Sequence, residues 1–479
     1  MKTLNTIVIS AVGGVLLAGC VVGPDFQRPQ SPQAERYDTV TAADAMGVDA
    51  DSQRLVLGED PPAQWWELFN SPALDELVQR SLAGNRTMTA AQWSLVQASE
   101  LVNARAGAAA PQVSMTGGVG RQKYGAQFLG PSPKPPPFTY FAIGPTVSYA
   151  LDFTGGAARS LEQQRALAEY QQHQVEAARM SVSGHAVLQA FTIASVRAQI
   201  ATVEALLERD RENLQLVKLA FDAGSVSRLD VVSAESQLAS DATLLPKMRQ
   251  ELSEAQHGLA ITLGTTPADG SLPDLDLSQF TLPKDIPVSV PSELARHRPD
   301  ILAAEAQLHA ATAAVGVAQA NLYPHIELTS SMGQQSITAS SLFGSASNVW
   351  SMTAGLVAPL FDGGKLRAEK RAAVAAMNAS AANYEQTALT AFGQVADSLQ
   401  ALGHGADELQ AQSRAEQAAR ATVDMTRQSY KEGNVGILQV LDAERRYQQA
   451  KLGFVRAQAQ RYVDTAELML ALGGTEPRT

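Results

Sequence analysis

The sequence predicts a mainly α-helical chain, built twice in tandem, that carries a small transmembrane β-barrel component of four strands per chain. Three observations carry this. Landmarks recur at a fixed offset through the 479 residues, long alanine-rich stretches follow helical apolar spacing, and four short segments alternate apolar with small polar side chains.

Composition narrows the function classes. Hydrophobic residues make up 45% of the chain, aromatics 6% and charged residues 18%, a balance that favours long helices over a thick globular core. The formal net charge is −11, and loss of Lys2 with the leader described below leaves 36 basic against 48 acidic side chains. An acidic chain without basic clusters argues against a nucleic-acid partner. The single cysteine, Cys20, excludes an internal disulfide framework and a thiolate metal cage. The histidines at 173, 185, 257, 297, 309, 325 and 404 never fall at metal-ligand spacing, so no metal cofactor is expected.

The first residues read as an address. Lys2 precedes an apolar stretch, 7–18, that is too short to span a bilayer but suits a secretory signal over residues 1–19. Leu17-Ala18-Gly19-Cys20 resembles the lipobox of bacterial lipoproteins, in which the leader is cut before the cysteine and the cysteine is acylated. The alternative is an ordinary signal with a chance cysteine, against which stands the absence of any other cysteine. Val21 follows rather than Asp, and lipoprotein sorting then implies the outer membrane. Acyl chains contribute about 0.8 kcal/mol per buried CH₂, so stable anchorage takes more than one. Beyond the leader no apolar run of about 18 residues is expected, which leaves strands to cross a membrane.

The duplication sets the order of elements. Phe221-Asp222-Ala223-Gly224-Ser225-Val226, leading to Asp230-Val231-Val232-Ser233-Ala234-Glu235, returns as Tyr430-Lys431-Glu432-Gly433-Asn434-Val435, leading to Gln439-Val440-Leu441-Asp442-Ala443-Glu444. Leu263-Gly264 returns as Leu472-Gly473, and Gly155-Gly156 as Gly363-Gly364. Each half then holds a helix (84–110; 300–321), two alternating segments, a long helix (157–220; 364–431), a glycine turn and a second helix (228–264; 437–472). Pro246 is expected to kink the helix over 228–264.

The alternating segments carry the membrane inference. Phe141, Ile143, Pro145, Val147, Tyr149, Leu151 and Phe153 oppose Ala142, Gly144, Thr146, Ser148, Ala150 and Asp152. Val113, Met115 and Val119 oppose Gln112, Ser114 and Thr116, while Trp350, Met352, Ala354, Leu356, Ala358 and Leu360 oppose Ser351, Thr353 and Gly355. The segment 326–332 is shorter and alternates less clearly. Such segments suit barrel strands with a wet interior, or else a soluble hairpin packed on the helices. The loop 130–137, rich in proline, would be a stiff exposed tip. Four strands cannot close a barrel, and an open edge in lipid is prohibitive. Eight strands would have an interior filled by side chains, whereas twelve leave room for a channel, which favours a trimer or larger ring.

Together these residues resemble the TolC-like outer-membrane factors, specifically the lipoprotein (NodT-type) channels of tripartite drug-efflux pumps. The likeness lies in Cys20-Val21-Val22-Gly23-Pro24-Asp25-Phe26, Trp65-Trp66-Glu67-Leu68-Phe69, Pro72-Ala73-Leu74, Arg298-Pro299-Asp300-Ile301, Asn321-Leu322-Tyr323-Pro324 and the two glycine turns. The resemblance implies a homotrimer with a twelve-stranded β-barrel continued by a periplasmic α-helical barrel of coiled coils. It implies a lipidated N-terminal segment and equatorial region (20–83), a first repeat (84–264), a Pro-rich equatorial linker (265–299), a second repeat (300–473) and a C-terminal tail (474–479).

The same resemblance implies the site. Docking to a periplasmic adaptor (membrane fusion) protein falls on the tips at Gly224, Ser225, Gly433 and Asn434, with an inner-membrane pump, proton-driven, beyond the adaptor. A periplasmic gate would involve Asp442, Gln439, Asp230 and Tyr430, with Asp442 in an acidic ring and Gln439 standing where relatives carry a second acid. Asp230 admits two readings, a gate contact whose basic partner is replaced here by Val435, or a capping box with Ser227. For Asp442 the alternative is a solvated helix face.

The function expected is an outer-membrane exit duct for drugs or other small toxic compounds, anchored by lipid on Cys20 and doing no covalent chemistry. A type I protein secretion channel and a non-conducting coiled-coil tether remain the alternatives. No Ser/His/Asp order, phosphate loop or metal cluster points to an enzyme.

Overall fold

The structure is a computed structural model that describes residues 21–30, 37, 53–124, 136–269 and 272–474. The expected leader, Cys20, most of the Pro-rich loop and the tail beyond Gly474 lie outside the described residues.

Helices begin where the sequence supplies caps. Ser71 opens α1 (Pro72–Gly84) by accepting the Leu74 N–H at 3.4 Å, with Pro72 at the first position, where a missing N–H costs nothing. Asn85 opens α2 (Arg86–Ala108), its Oδ1 accepting the Thr87 and Met88 N–H groups at 2.8 and 3.2 Å. The long helices α3 (Gly156–Asp222) and α8 (Lys365–Lys431) are both 67 residues, so the duplication preserves their length to the residue.

The expected single helix over 228–264 is in fact two, α4 (Arg228–Ala242) and α5 (Leu244–Thr262), separated at Thr243. Pro246 has no N–H to offer the carbonyl of Ala242 and its ring crowds that carbonyl, so the chain restarts with proline inside the first turn. Its counterpart at the repeat offset is Val455, and α9 (Ile437–Leu472) runs unbroken for 36 residues. The short α6 (Pro291–His297) leads into α7 (Pro299–Ala320).

Two sheets form. The strands β1 (Arg54–Leu57) and β4 (Asp285–Val288), neither foreseen, pair in parallel and join the N-terminal segment to the Pro-rich linker. The strands β2 (Gln112–Gln122), β3 (Phe138–Leu151), β5 (His325–Ser336) and β6 (Asn348–Val357) make an antiparallel sheet in the order β2-β3-β5-β6. Phe153 and Leu360, expected at strand ends, fall outside their strands. The weakly alternating third strand reaches 12 residues because it is paired along both edges, so ladder bonds set its length where side-chain pattern does not.

Two compact units result, and each draws on both repeats. One comprises Met1–Pro29, Ser94–Gln171 and Ala304–Tyr384, the other Gln30–Trp93, Gln172–Ala303 and Glu385–Thr479. The second unit has an aromatic core in which Phe191 meets Phe69, Phe280 and Tyr462 at ring separations of 4.8, 5.1 and 5.5 Å. The Tyr462 hydroxyl donates to the Phe280 carbonyl at 3.0 Å, which satisfies its one buried polar group.

The Arg298-Pro299-Asp300 stretch gains a physical reason in that unit. Buried Arg298 donates to both Asp300 oxygens at 2.9 and 3.1 Å and to the Ala471 carbonyl at 2.8 Å, placing a cation against the C-terminal end of α9. Contrary to the expectation of no long apolar run, α3 and α7 each contain an 18-residue window of mean hydropathy 1.3, and half of each window is buried within the protein. Helix packing accounts for that apolarity.

Candidate membrane sheet and periplasmic tips

The register of the four-stranded sheet decides which side chains share a face. Val113 pairs with Val147, Val147 with Ser330 and Ser330 with Met352; Leu151 pairs with Ile326 and Ile326 with Leu356. The apolar sets therefore fall on one face although they occupy odd positions in β2 and β3 and even positions in β5 and β6. On the other face Ser114, Thr146, Ser331 and Ser351 form one row, and Gln112, Ser148, Thr329 and Thr353 the next. Val113, Met352 and Trp350 are 71, 77 and 78% exposed, far more apolar surface than a water-facing sheet carries. The sheet ends at β2 and β6, whose outer edges have no partner strand among the described residues.

At the first tip α3 ends in a reversal built on Gly224, which has φ +75°. The Ser225 N–H donates to Ala220 O and the Gly224 N–H to Phe221 O, both at 2.9 Å, a Schellman ending that needs a left-handed residue. The second tip repeats it at an offset of 209, with Gly433 at φ +78°, the Asn434 N–H on Ser429 O at 2.9 Å and the Gly433 N–H on Tyr430 O at 3.0 Å. Gly224, Ser225, Gly433 and Asn434 are exposed, as is the Tyr430 side chain.

The helix starts beyond the two tips differ. Ser227 and Asp230 form a reciprocal capping box, with the Ser227 N–H donating to Asp230 Oδ2 at 2.7 Å and the Asp230 N–H to Ser227 Oγ at 3.4 Å. Of the two readings of Asp230, the structure displays the cap. The counterparts in the second repeat are Gly436 and Gln439, and α9 begins with no side-chain cap.

Asp442 is not a bare carboxylate. Arg445 Nη2 approaches it at 2.7 Å and Arg446 Nε at 2.8 Å, both from its own helix. The Arg445 hydrogen bond, with the charge of Arg446 behind it, holds the Asp442 carboxyl below the usual range. Gln439 is exposed one turn earlier.

A second acidic group went unnoticed in the sequence. Asp210 on α3 is buried beside Asp241 at the end of α4, with Glu444 of α9 nearby, and burial followed by the Asp241 charge pushes the Asp210 carboxyl up to about 7. Gln237 donates to Asp241 at 2.7 Å, and Glu444 is held by Arg427 at 2.7 Å and Asn213 at 3.3 Å. An ordinary Asp in an acidic helix offers no sequence signal for this. No cluster of three or more metal-ligating side chains occurs among the described residues.

Comparisons with known proteins identify the family. Residues 77–265 and 290–474 match the outer membrane efflux protein family. The chain belongs to that family. The toluene efflux pump outer membrane protein TtgF of Pseudomonas putida is 30% identical across an alignment of 480 positions that covers 98% of this chain and 97% of TtgF. The probable outer membrane lipoprotein SilC of Salmonella typhimurium is 26% identical over 475 residues, 99% of each chain. Among solved structures, the outer-membrane channel OprN superposes with a TM-score of 0.86 at 29% identity over 95% of this chain and 99% of OprN. As an outer membrane efflux protein with a TolC-like fold, this chain resides in the outer membrane and extends into the periplasm. Its relatives are named as outer membrane proteins of efflux pumps, and OprN as an outer-membrane channel.

Proposed function

We propose that three copies of this outer membrane efflux protein close a twelve-stranded barrel and form the passive exit duct of a tripartite pump. The observation that carries this is the sheet with two open edges and one strongly apolar face. An unpaired edge in lipid forfeits a hydrogen bond at every exposed backbone group. Because the four strands alternate in direction, β6 of one copy lies antiparallel to β2 of the next, and a ring of copies closes without a mismatch. Twelve strands enclose a channel, whereas eight would be plugged by side chains.

Lipid on Cys20 adds a second hold on the outer membrane, in keeping with the lipoprotein named among the relatives. The exposed tips dock a periplasmic adaptor, through which an inner-membrane, proton-driven pump delivers drugs, solvents or other small toxic compounds; the toluene pump component supports that substrate class. The test combines two measurements. Full-length protein should migrate as a heat-sensitive trimer on unheated gels and conduct in planar bilayers, and cells lacking it should accumulate an efflux dye until it is restored. A monomer without conductance would refute the duct, and unchanged dye accumulation would refute its place in efflux.

A further inference from the structure

The segment that follows Cys20 is built into the unit that contains the sheet. The Val22 N–H donates to Thr154 O at 3.0 Å, only three residues beyond the end of β3. Arg159, whose side chain is 5% exposed, donates to Val22 O at 3.2 Å, to Gly23 O at 3.5 Å, to Asp25 at 2.5 Å and to Glu162 at 2.8 Å. Phe26 stacks on His309 with ring centroids 4.4 Å apart and planes 17° from parallel, and His309 Nε2 lies 3.1 Å from Glu162. Arg28 pairs with Glu305 at 2.8 Å. The backbone is fitted as closely: a Cβ on Gly155 would lie 2.7 Å from Val21 Cα, and one on Gly316 2.8 Å from Arg159 Cγ.

These contacts come from both repeats. Thr154, Arg159 and Glu162 belong to the first, Glu305, His309 and Gly316 to the second. We propose that residues 21–28 are a strap that staples the two repeats together beside the strands and fixes the acyl-bearing terminus there, with Arg159 as its clasp. The positioning role rests on lipidation of Cys20; the staple does not.

Tether length shows what the strap does. With Val22 pinned, Cys20 is two residues, about 7 Å of chain, from a fixed point. Without the strap, the next described contact of the N-terminal segment is the Tyr37 hydroxyl on Ser289 O at 2.8 Å. Released from the strap, Cys20 would be 17 residues of chain from that contact. Effective concentration falls as roughly the −3/2 power of length, which makes co-localisation of lipid and strands about 25-fold weaker. The strap therefore makes anchor and barrel enter the membrane at one place.

The test uses full-length protein carrying Arg159→Met, Arg159→Lys, or the strap pair Asp25→Asn/Phe26→Ala, which leaves the helices untouched. Hydrogen exchange, palmitate labelling and the rate at which heat-sensitive trimer appears in the membrane are followed together. Wild type should show a protected Val22 amide, whose N–H donates to Thr154 O. Arg159→Met and the strap pair should lose that protection and insert on the order of tenfold more slowly, and Arg159→Lys should recover part of both. A Val22 amide exchanging at the free-peptide rate in wild type would overturn the staple, and wild-type insertion rates in both disrupted variants would overturn the positioning role. Wild type without palmitate would overturn the lipid reading and the positioning role with it, whereas a protected Val22 amide in that protein would still support the staple.

Discussion

Gly144 of β3 and Gly333 of β5 meet backbone to backbone at the seam where the first repeat is sewn to the second. A Cβ on Gly144 would lie 2.5 Å from Gly333 Cα, and one on Gly333 would lie 2.9 Å from Gly144 Cα. Both belong to the polar face, at the point where the β3–β5 pairing skips two positions between Ile143–Gln334 and Thr146–Ser331. Gly144→Val or Gly333→Val should push the strands apart and lose ladder bonds that lipid cannot replace. Trimer recovered from the outer membrane should fall several-fold on unheated gels. Wild-type recovery of both variants would mean that the seam tolerates separation.

The assignment of faces predicts unequal responses at neighbouring residues. Val147 shares its face with Val113 and Met352, while Ser148 shares the other with Gln112 and Thr353. Val147→Arg should impair insertion by about 2 to 4 kcal/mol near the midplane, whereas Ser148→Arg should insert and change conductance. Equal tolerance at the two positions would exclude a lipid-facing side.

Buried Asp210 makes the helices below the tips sensitive to pH. Its folded carboxyl titrates near 7 against 3.8 for the ordinary group, so between those values the folded chain keeps a proton that the unfolded chain has released. Stability therefore falls as pH rises across that window and levels off above it, by at most about 4 kcal/mol. Asp210→Asn should flatten this dependence, measured as exchange of α3 and α4 amides in the full-length protein between pH 5 and 8. A slope identical to wild type would place the proton elsewhere.

Why some of this was legible and some not follows from the range of the interactions. The tips were legible because a Schellman ending is local and leaves a glycine at a fixed offset. The lipid-facing set was legible within each strand because alternation needs no partner, but the β3–β5 junction required the register. Pro246 was visible as a disturbance; that it restarts a helix instead of kinking one depends on a first turn that shelters its missing N–H. The strap was visible as the residues after Cys20, yet Arg159 and Glu305 lie more than a hundred residues away, and nothing local marks them. Asp210 was invisible for the same reason, since its titration is set by burial against Asp241.

Unequal capping of the two tips predicts which one yields first. Ser227 and Asp230 cap α4, whereas Gly436 and Gln439 leave α9 uncapped. Gly436→Ser with Gln439→Asp transplants the box, and because glycine is already a tolerated N-cap the gain is about 0.5 kcal/mol. Amides at the start of α9 should exchange roughly twofold more slowly, and the open probability of the channel should drop. Exchange unchanged from wild type would show that capping does not limit this end.

Asp442 supplies the last prediction, and its arginines change the sign expected from sequence. Three bare carboxylates about 10 Å apart would repel by roughly 1.7 kcal/mol per pair at an effective dielectric of 20, too little to hold an entrance shut but enough to favour cations. In each chain, however, Asp442 is paired with both Arg445 and Arg446, so the cluster carries one net positive charge. If three such clusters line the throat, Asp442→Ala strips the carboxylate and drives selectivity toward anions, whereas Arg445→Gln/Arg446→Gln uncovers the carboxylate and drives it toward cations. Depressed titration of Asp442 keeps this charge pattern down into acid. Reversal potentials in planar bilayers at low salt, where screening is least, should shift in opposite directions for the two variants. Identical potentials in both would place this cluster on an outer face, away from the conduction path.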